Sequence, residues 1–151
     1  MSTKTMKRMN FLLTAMASLM MLASCEKDDR AITPANLPQA SQALIEQHFG
    51  DLTISRVVKE YDDFTYDYDV YFTNGTKVEF SRSGDWKDID CHGTKVPDGL
   101  VPAKILDYVK TNYPSNVIVQ ITRDDRHLDV ELDNDLDLVF NKSGDFVRID
   151  Y

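Results

Sequence analysis

The sequence predicts an α+β fold: a tandem repeat of one helix plus four antiparallel strands, with the helices on one face of the sheet and the other face open. Two observations carry this. The segment Ser81-Arg82-Ser83-Gly84-Asp85-Trp86-Lys87-Asp88-Ile89-Asp90 returns sixty positions later as Asn141-Lys142-Ser143-Gly144-Asp145-Phe146-Val147-Arg148-Ile149-Asp150, and 68–80 aligns with 128–140 at the same offset. Further upstream the offset becomes 64, with Leu37-Pro38 over Val101-Pro102 and Phe49 over Tyr113, so four extra residues fall near Tyr61 to Phe64. Self-similarity at a fixed period points to a repeated supersecondary unit. The second observation is period-two alternation between short turns, the mark of half-buried antiparallel strands.

The first unit spans 37–90. Pro38 opens a helix in which Ala40, Ala43, Leu44, Gln47 and His48 keep helical spacing, and Phe49-Gly50 closes it. A strand follows over 53–60. The run 64–72 alternates strongly: Phe64, Tyr66, Tyr68, Val70 and Phe72 share one face, and Thr65, Asp67, Asp69 and Tyr71 the other. Asn74-Gly75 is a hairpin signal, because both residues tolerate positive φ. A third strand over 76–81 and a fourth over 86–90 flank the turn Ser83-Gly84-Asp85. The linker 91–100 is rich in turn residues. In the second unit, 101–151, Pro102 opens a helix carrying Ile105, Leu106, Tyr108 and Val109, Asn112-Tyr113-Pro114 stops it, and strands are expected near 117–123, 127–133, 136–141 and 146–151. The two units make either one continuous eight-stranded sheet or two abutting sheets.

The amino terminus carries an address. Lys4, Lys7 and Arg8 precede the apolar run 11–23, which is 13 residues long. A membrane-crossing helix needs about 20, so 1–24 reads as a secretory signal peptide. Leu22-Ala23-Ser24-Cys25 resembles a bacterial lipobox, which implies lipidation of Cys25 and an exported outer-membrane lipoprotein facing the periplasm or the cell surface. Residues 25–36 then read as a lipidated flexible tether. Its cluster Glu26-Lys27-Asp28-Asp29 is either a surface-export signal or a solvated leash.

Removing 1–24 takes three cations and no acids, moving the formal charge from −8 to −11. Such a polyanion is repelled by nucleic acid, and contact with membrane is expected through the lipid anchor only. Cys91 is left as the one cysteine of the domain, so no intrachain disulfide forms there.

Enzyme motifs are sparse. Asp133-Asn134-Asp135-Leu136-Asp137 suggests a calcium loop, but the sixth and twelfth positions hold Leu138 and Gly144 where an EF-hand needs glycine and glutamate. A plain acidic turn is the favoured reading. Asp62-Asp63 and Asp124-Asp125 read as solvated loop charge. His48, His92 and His127 share no zinc spacing. Cys91-His92 would point to opposite sides of a strand, poor geometry for a nucleophile and its base. No metal, cofactor or catalytic residue is therefore expected.

The candidate partner-binding residues are Tyr71, Trp86, Asp67, Asp69, Asp88 and Phe146. Alternation puts Tyr71 on one polar face with Asp67 and Asp69, and Trp86 on one face with Asp88 and Asp90. Aromatics on a charged face are what interface anchors look like. The alternative for Trp86 is that it packs over the turn and closes the edge of the core.

The pattern of Leu-Pro, amphipathic helix, strand, Asn-Gly hairpin and then Gly84-Asp85-Trp86 and Ile89-Asp90 resembles the PepSY-like, β-lactamase-inhibitor-like family of exported bacterial lipoproteins, over 37–151. In the second unit Phe146 replaces the tryptophan and Asp135 the hairpin glycine. The resemblance implies a helix-plus-sheet domain whose outer sheet surface meets another protein. The expected function is a non-enzymatic lipoprotein that grips an unidentified envelope or extracellular protein, in the manner of an inhibitor. The alternative is a sensor of a small ligand, ion or glycan.

Overall fold

The computed structural model describes residues 29–62 and 64–150. The signal peptide and Cys25 lie outside the described residues. The strands are β1 (Arg30–Ile32), β2 (Ile54–Asp62), β3 (Thr65–Phe72), β4 (Lys77–Phe80), β5 (Trp86–Asp90), β6 (Ile118–Arg123), β7 (His127–Leu132), β8 (Asp137–Asn141) and β9 (Phe146–Asp150). Two short helices, α1 (Gln39–Phe49) and α2 (Ala103–Asn112), precede β2 and β6.

These elements correct the expected fold class. The molecule is mostly one nine-stranded antiparallel sheet with two short helices, not a tandem of separate helix-plus-four-strand units. The sheet runs without interruption in sequence order. β5 pairs directly with β6 through Asp88↔Thr122, Ile89↔Ile121 and Asp90↔Gln120, so no edge separates the halves. The ninth strand comes from the segment expected as tether: β1 pairs with β2 through Arg30↔Lys59 and Ile32↔Val57. An open strand edge offers unpaired N–H and C=O groups, and pairing satisfies them.

One row of cross-strand partners forms the floor of the core: Ile32, Val57, Val70, Val78, Ile89, Ile121, Val130, Leu138 and Ile149. Seven of the nine are buried, and Ile32 and Ile149, on the two edge strands, are partly covered. Ile45 and Phe49 of α1 and Ile105 and Val109 of α2 belong to the same cluster. Both helices therefore cover one face. Each of these side chains contributes about 1.5–3 kcal/mol on full burial. The Ser41 hydroxyl, fully buried on α1, donates to the Gly84 carbonyl at 3.2 Å and pins the helix to the β4–β5 turn. Gly84 has φ +93, and a Cβ there would lie 2.7 Å from the Pro38 Cβ, so the turn needs glycine for conformation and for space.

At the Asn74-Gly75 hairpin only Gly75 takes positive φ; Asn74 instead accepts a hydrogen bond from the Thr76 N–H at 3.1 Å.

Candidate binding surface

The face away from the helices is polar, and its composition changes along the sheet. In β2–β5 the charges are answered within the face. Lys77 pairs with Asp69 at 2.9 Å, and Lys87 pairs with Asp67 at 2.6 Å and Glu79 at 2.9 Å. Burial works against the Lys87 charge, yet its hydrogen bonds to Asp67 and Glu79 hold its pKa above the ordinary lysine value. The Tyr71 hydroxyl donates to Asp69 Oδ2 at 3.0 Å, and the Arg56 guanidinium lies 4.0 Å over the Tyr71 ring. At the β5–β6 joint, Asp88 Oδ1 accepts from Gln120 at 2.9 Å and Thr122 at 2.6 Å.

In β6–β9 the carboxylates are answered less fully, although Arg148 pairs with Asp150 on β9 at 3.0 Å. Glu131 and Asp137 stand directly opposite each other on neighbouring strands, and like charges so placed repel. Burial, then the charges of Asp137, Asp135 and Asp90, push the Glu131 pKa up. Burial, then Asp124, push Asp129 up as well. Asp129 Oδ1 is buried with no hydrogen-bond donor, as is Asp69 Oδ1. Asp90, Glu131, Asp133 and Asp135 line an open depression of about 340 Å³ together with Gln120 and His92. Among the described residues, no group of three or more His, Cys, Asp or Glu side chains is arranged to hold a metal ion.

The expected site residues divide between the two faces. Tyr71, Asp67, Asp69 and Asp88 stand on the polar face, where Asp69 is buried. Trp86 does not: it is 7% exposed, belongs to the core cluster and pairs with Phe80 across the strands. The cause is a bulge. Glu79 pairs with Asp88 and Phe80 with Trp86, which leaves Lys87 as an extra residue and resets the alternation. Lys87 gains the polar face and Trp86 loses it. The Arg123 guanidinium caps the indole at 3.9 Å. Phe146 is also on the helix side, stacked on Tyr108 of α2 at 4.8 Å and edge-on to Phe140, with 36% exposure.

Sequence reasoning passed over Asp90, Asp129 and Glu131. A signal was present, because Asp129 and Glu131 alternate with buried Leu128, Val130 and Leu132 and run into the Asp133–Asp135 turn. Cys91 is buried, and burial followed by the Asp90 charge pushes its thiol up to about 11, which makes it a poor nucleophile at neutral pH.

Comparison with known proteins fits this architecture. A sequence family described as "Putative beta-lactamase-inhibitor-like, PepSY-like" matches residues 66–148. A crystal structure from Bacteroides thetaiotaomicron, described as a "putative calcium-regulated periplasmic protein", is 40% identical with a TM-score of 0.80, covering 82% of this chain and 98% of its own. A periplasmic protein of the DUF2874 family from Bacteroides vulgatus is 38% identical with a TM-score of 0.79, covering 82% and 98%. A second protein from that organism, described as of unknown function, is 31% identical with a TM-score of 0.78, covering 82% and 99%. No curated protein matches the chain.

Proposed function

The chain belongs to the PepSY-like family, described as β-lactamase-inhibitor-like, and from that premise we propose that it is a non-enzymatic exported lipoprotein that grips a basic protein surface on the acidic half of its polar sheet face. The observation that carries this reading is the pair of β7 carboxylates, Asp129 and Glu131, on the polar face. Glu131 and Asp129 hold raised pKa values, and Asp129 keeps a buried oxygen without a donor. A lysine or arginine delivered by a partner would relieve both, and a rim of complementary charge speeds association and selects partners. Periplasmic relatives at 38–40% identity support export, and the lipobox-like Leu22-Ala23-Ser24-Cys25 supports an acyl anchor in the outer membrane. The family's description supports an envelope enzyme as the class of partner, bound as an inhibitor binds.

Affinity capture from the cell envelope tests this. The wild-type domain should retain a discrete protein that Glu131→Lys loses. Equal recovery by both would remove the acidic half as the contact.

One observation favours a second reading, a cation-regulated sensor. Four carboxylates line one depression, and a relative at 40% identity is described as calcium-regulated. A rise in Tm with calcium that Glu131→Gln abolishes supports this reading, and an unchanged Tm across millimolar calcium removes it.

A further inference from the structure

The sheet ends at β9, and that edge is open. β9 pairs with β8, and among the described residues no strand pairs with its other side. Its residues are exposed apart from Ile149, which is partly covered. Such an edge holds out unpaired N–H and C=O groups and accepts another extended strand. Proteins commonly guard an edge with lysine or proline, and β9 has neither. A bulge guards only its start: Phe140 pairs with Phe146 and Val139 with Arg148, which leaves Val147 as the extra residue. From Arg148 to Asp150 the ladder is regular. Phe146 and Val147, 36% and 46% exposed, are two of the three large apolar side chains left exposed among the described residues.

The charges on the strand say what fits this edge. Arg148 and Asp150 stand on the polar face, bonded to each other at 3.0 Å, and Ile149 between them turns to the helix side. A second β9 laid antiparallel about a twofold axis perpendicular to the sheet keeps like face beside like face only when the axis passes through a residue pair. An axis at Arg148 sets arginine against arginine, and one at Asp150 sets aspartate against aspartate, and like charges so placed repel. The bulge breaks the ladder around an axis at Val147. An axis at Ile149 sets Arg148 against Asp150 of the second copy, Asp150 against its Arg148, and Ile149 against Ile149. This register also completes a row within the chain. Glu131, Asp137 and Asp150 oppose one another in turn across β7, β8 and β9, and the second copy adds an arginine as the next member.

We propose that β9 is the interface for a second copy of this chain, paired antiparallel with its own β9 about a twofold axis at Ile149. The contact is self-complementary and closes at two copies, whereas β9 laid on the three-residue β1 of another copy would run on as a fibre. The dimer is one continuous sheet, with the helices of both copies on one side and both polar faces on the other. It stands independently of what the polar face binds, and it sets the β7 carboxylates of two copies in one surface.

The test measures the protein mass of the processed chain by light scattering, in an excess of detergent micelles so that lipid does not bring copies together. Physiological ionic strength screens the repulsion between two acidic chains beyond about 8 Å. At submillimolar concentration the wild type should show twice the monomer mass. Arg148→Asp and Asp150→Arg, each alone, oppose like charges across the axis and should fall twofold to the monomer mass. An equimolar mixture of the two variants sets two carboxylates against two guanidiniums and should regain the doubled mass, which also shows that both variants are folded. A monomeric wild type overturns the proposal. So do single variants that keep the wild-type mass, or a mixture that stays monomeric.

Discussion

Lys87 and Asp88 are adjacent in sequence and end on the same polar face of the sheet, because the bulge opposite Glu79 and Phe80 gives β5 one extra residue and leaves Trp86 on the face opposite Asp88. The indole then serves the core, and Trp86→Ala should cost about 3–5 kcal/mol in urea unfolding. Tyr71→Ala, on the polar face, should cost less than half of that. Equal losses would mean that Tyr71 is as structural as Trp86. A pH dependence follows from the carboxyls of β7. The pKa values of Asp129 and Glu131 are raised above their ordinary 3.8 and 4.5. The folded state therefore binds their protons more tightly than the unfolded chain does. Their contribution favours folding at acid pH and is lost as pH rises through the raised values. Glu131→Gln and Asp129→Asn should raise Tm at pH 7, and the gain should vanish near pH 4. Asp145 acts in the opposite sense: its bond from Lys104, then Asn141, holds its pKa low, so its stabilisation is lost as pH falls through that lowered value. An Asp145→Asn variant should lose Tm at pH 7 and match the wild type at low pH.

Among the elements, the β4–β5 turn is the most constrained joint. Gly84 combines positive φ with contact against Pro38 and Ser41 of the α1 approach, whereas Gly93 has φ +80 and nothing within 4 Å of a built Cβ. Gly93→Ala meets backbone strain alone, about 1 kcal/mol. Gly84→Ala meets strain and a clash, and should lose at least about 1 kcal/mol more. Matched denaturation curves of the two variants check this, and similar midpoints would show that α1 shifts away without cost. The helices themselves are short, so α1 depends on the sheet for its stability. Its grip comes from Ile45, Phe49 and the Ser41 bond to the Gly84 carbonyl.

For the whole molecule, the β5–β6 ladder makes the halves one cooperative body. Ile89 and Ile121 are both fully buried and directly opposed across that joint. Unfolding followed by Trp86 fluorescence and by far-UV circular dichroism should give one coincident transition, and a fragment covering 37–90 should stay unfolded. Two resolved transitions would restore the picture of separate units. Sequence by itself determined what is local. Alternation marked β3 and β7, turn residues marked the hairpins, and the motifs around Gly84-Asp85-Trp86 pointed to the family. Much of the polar face was legible in the same way, since Asp67, Asp69 and Tyr71 obey simple alternation. Only the tertiary structure decided that Trp86 turns inward and Phe146 to the helix side, that β1 joins β2, that β5 and β6 fuse the sheet, and that Asp90, Glu131 and Asp135 line one depression. Periodicity and turn chemistry act over a few residues. Bulge placement and edge pairing are chosen by contacts between strands, many of them far apart in the chain, whose partners no local pattern names.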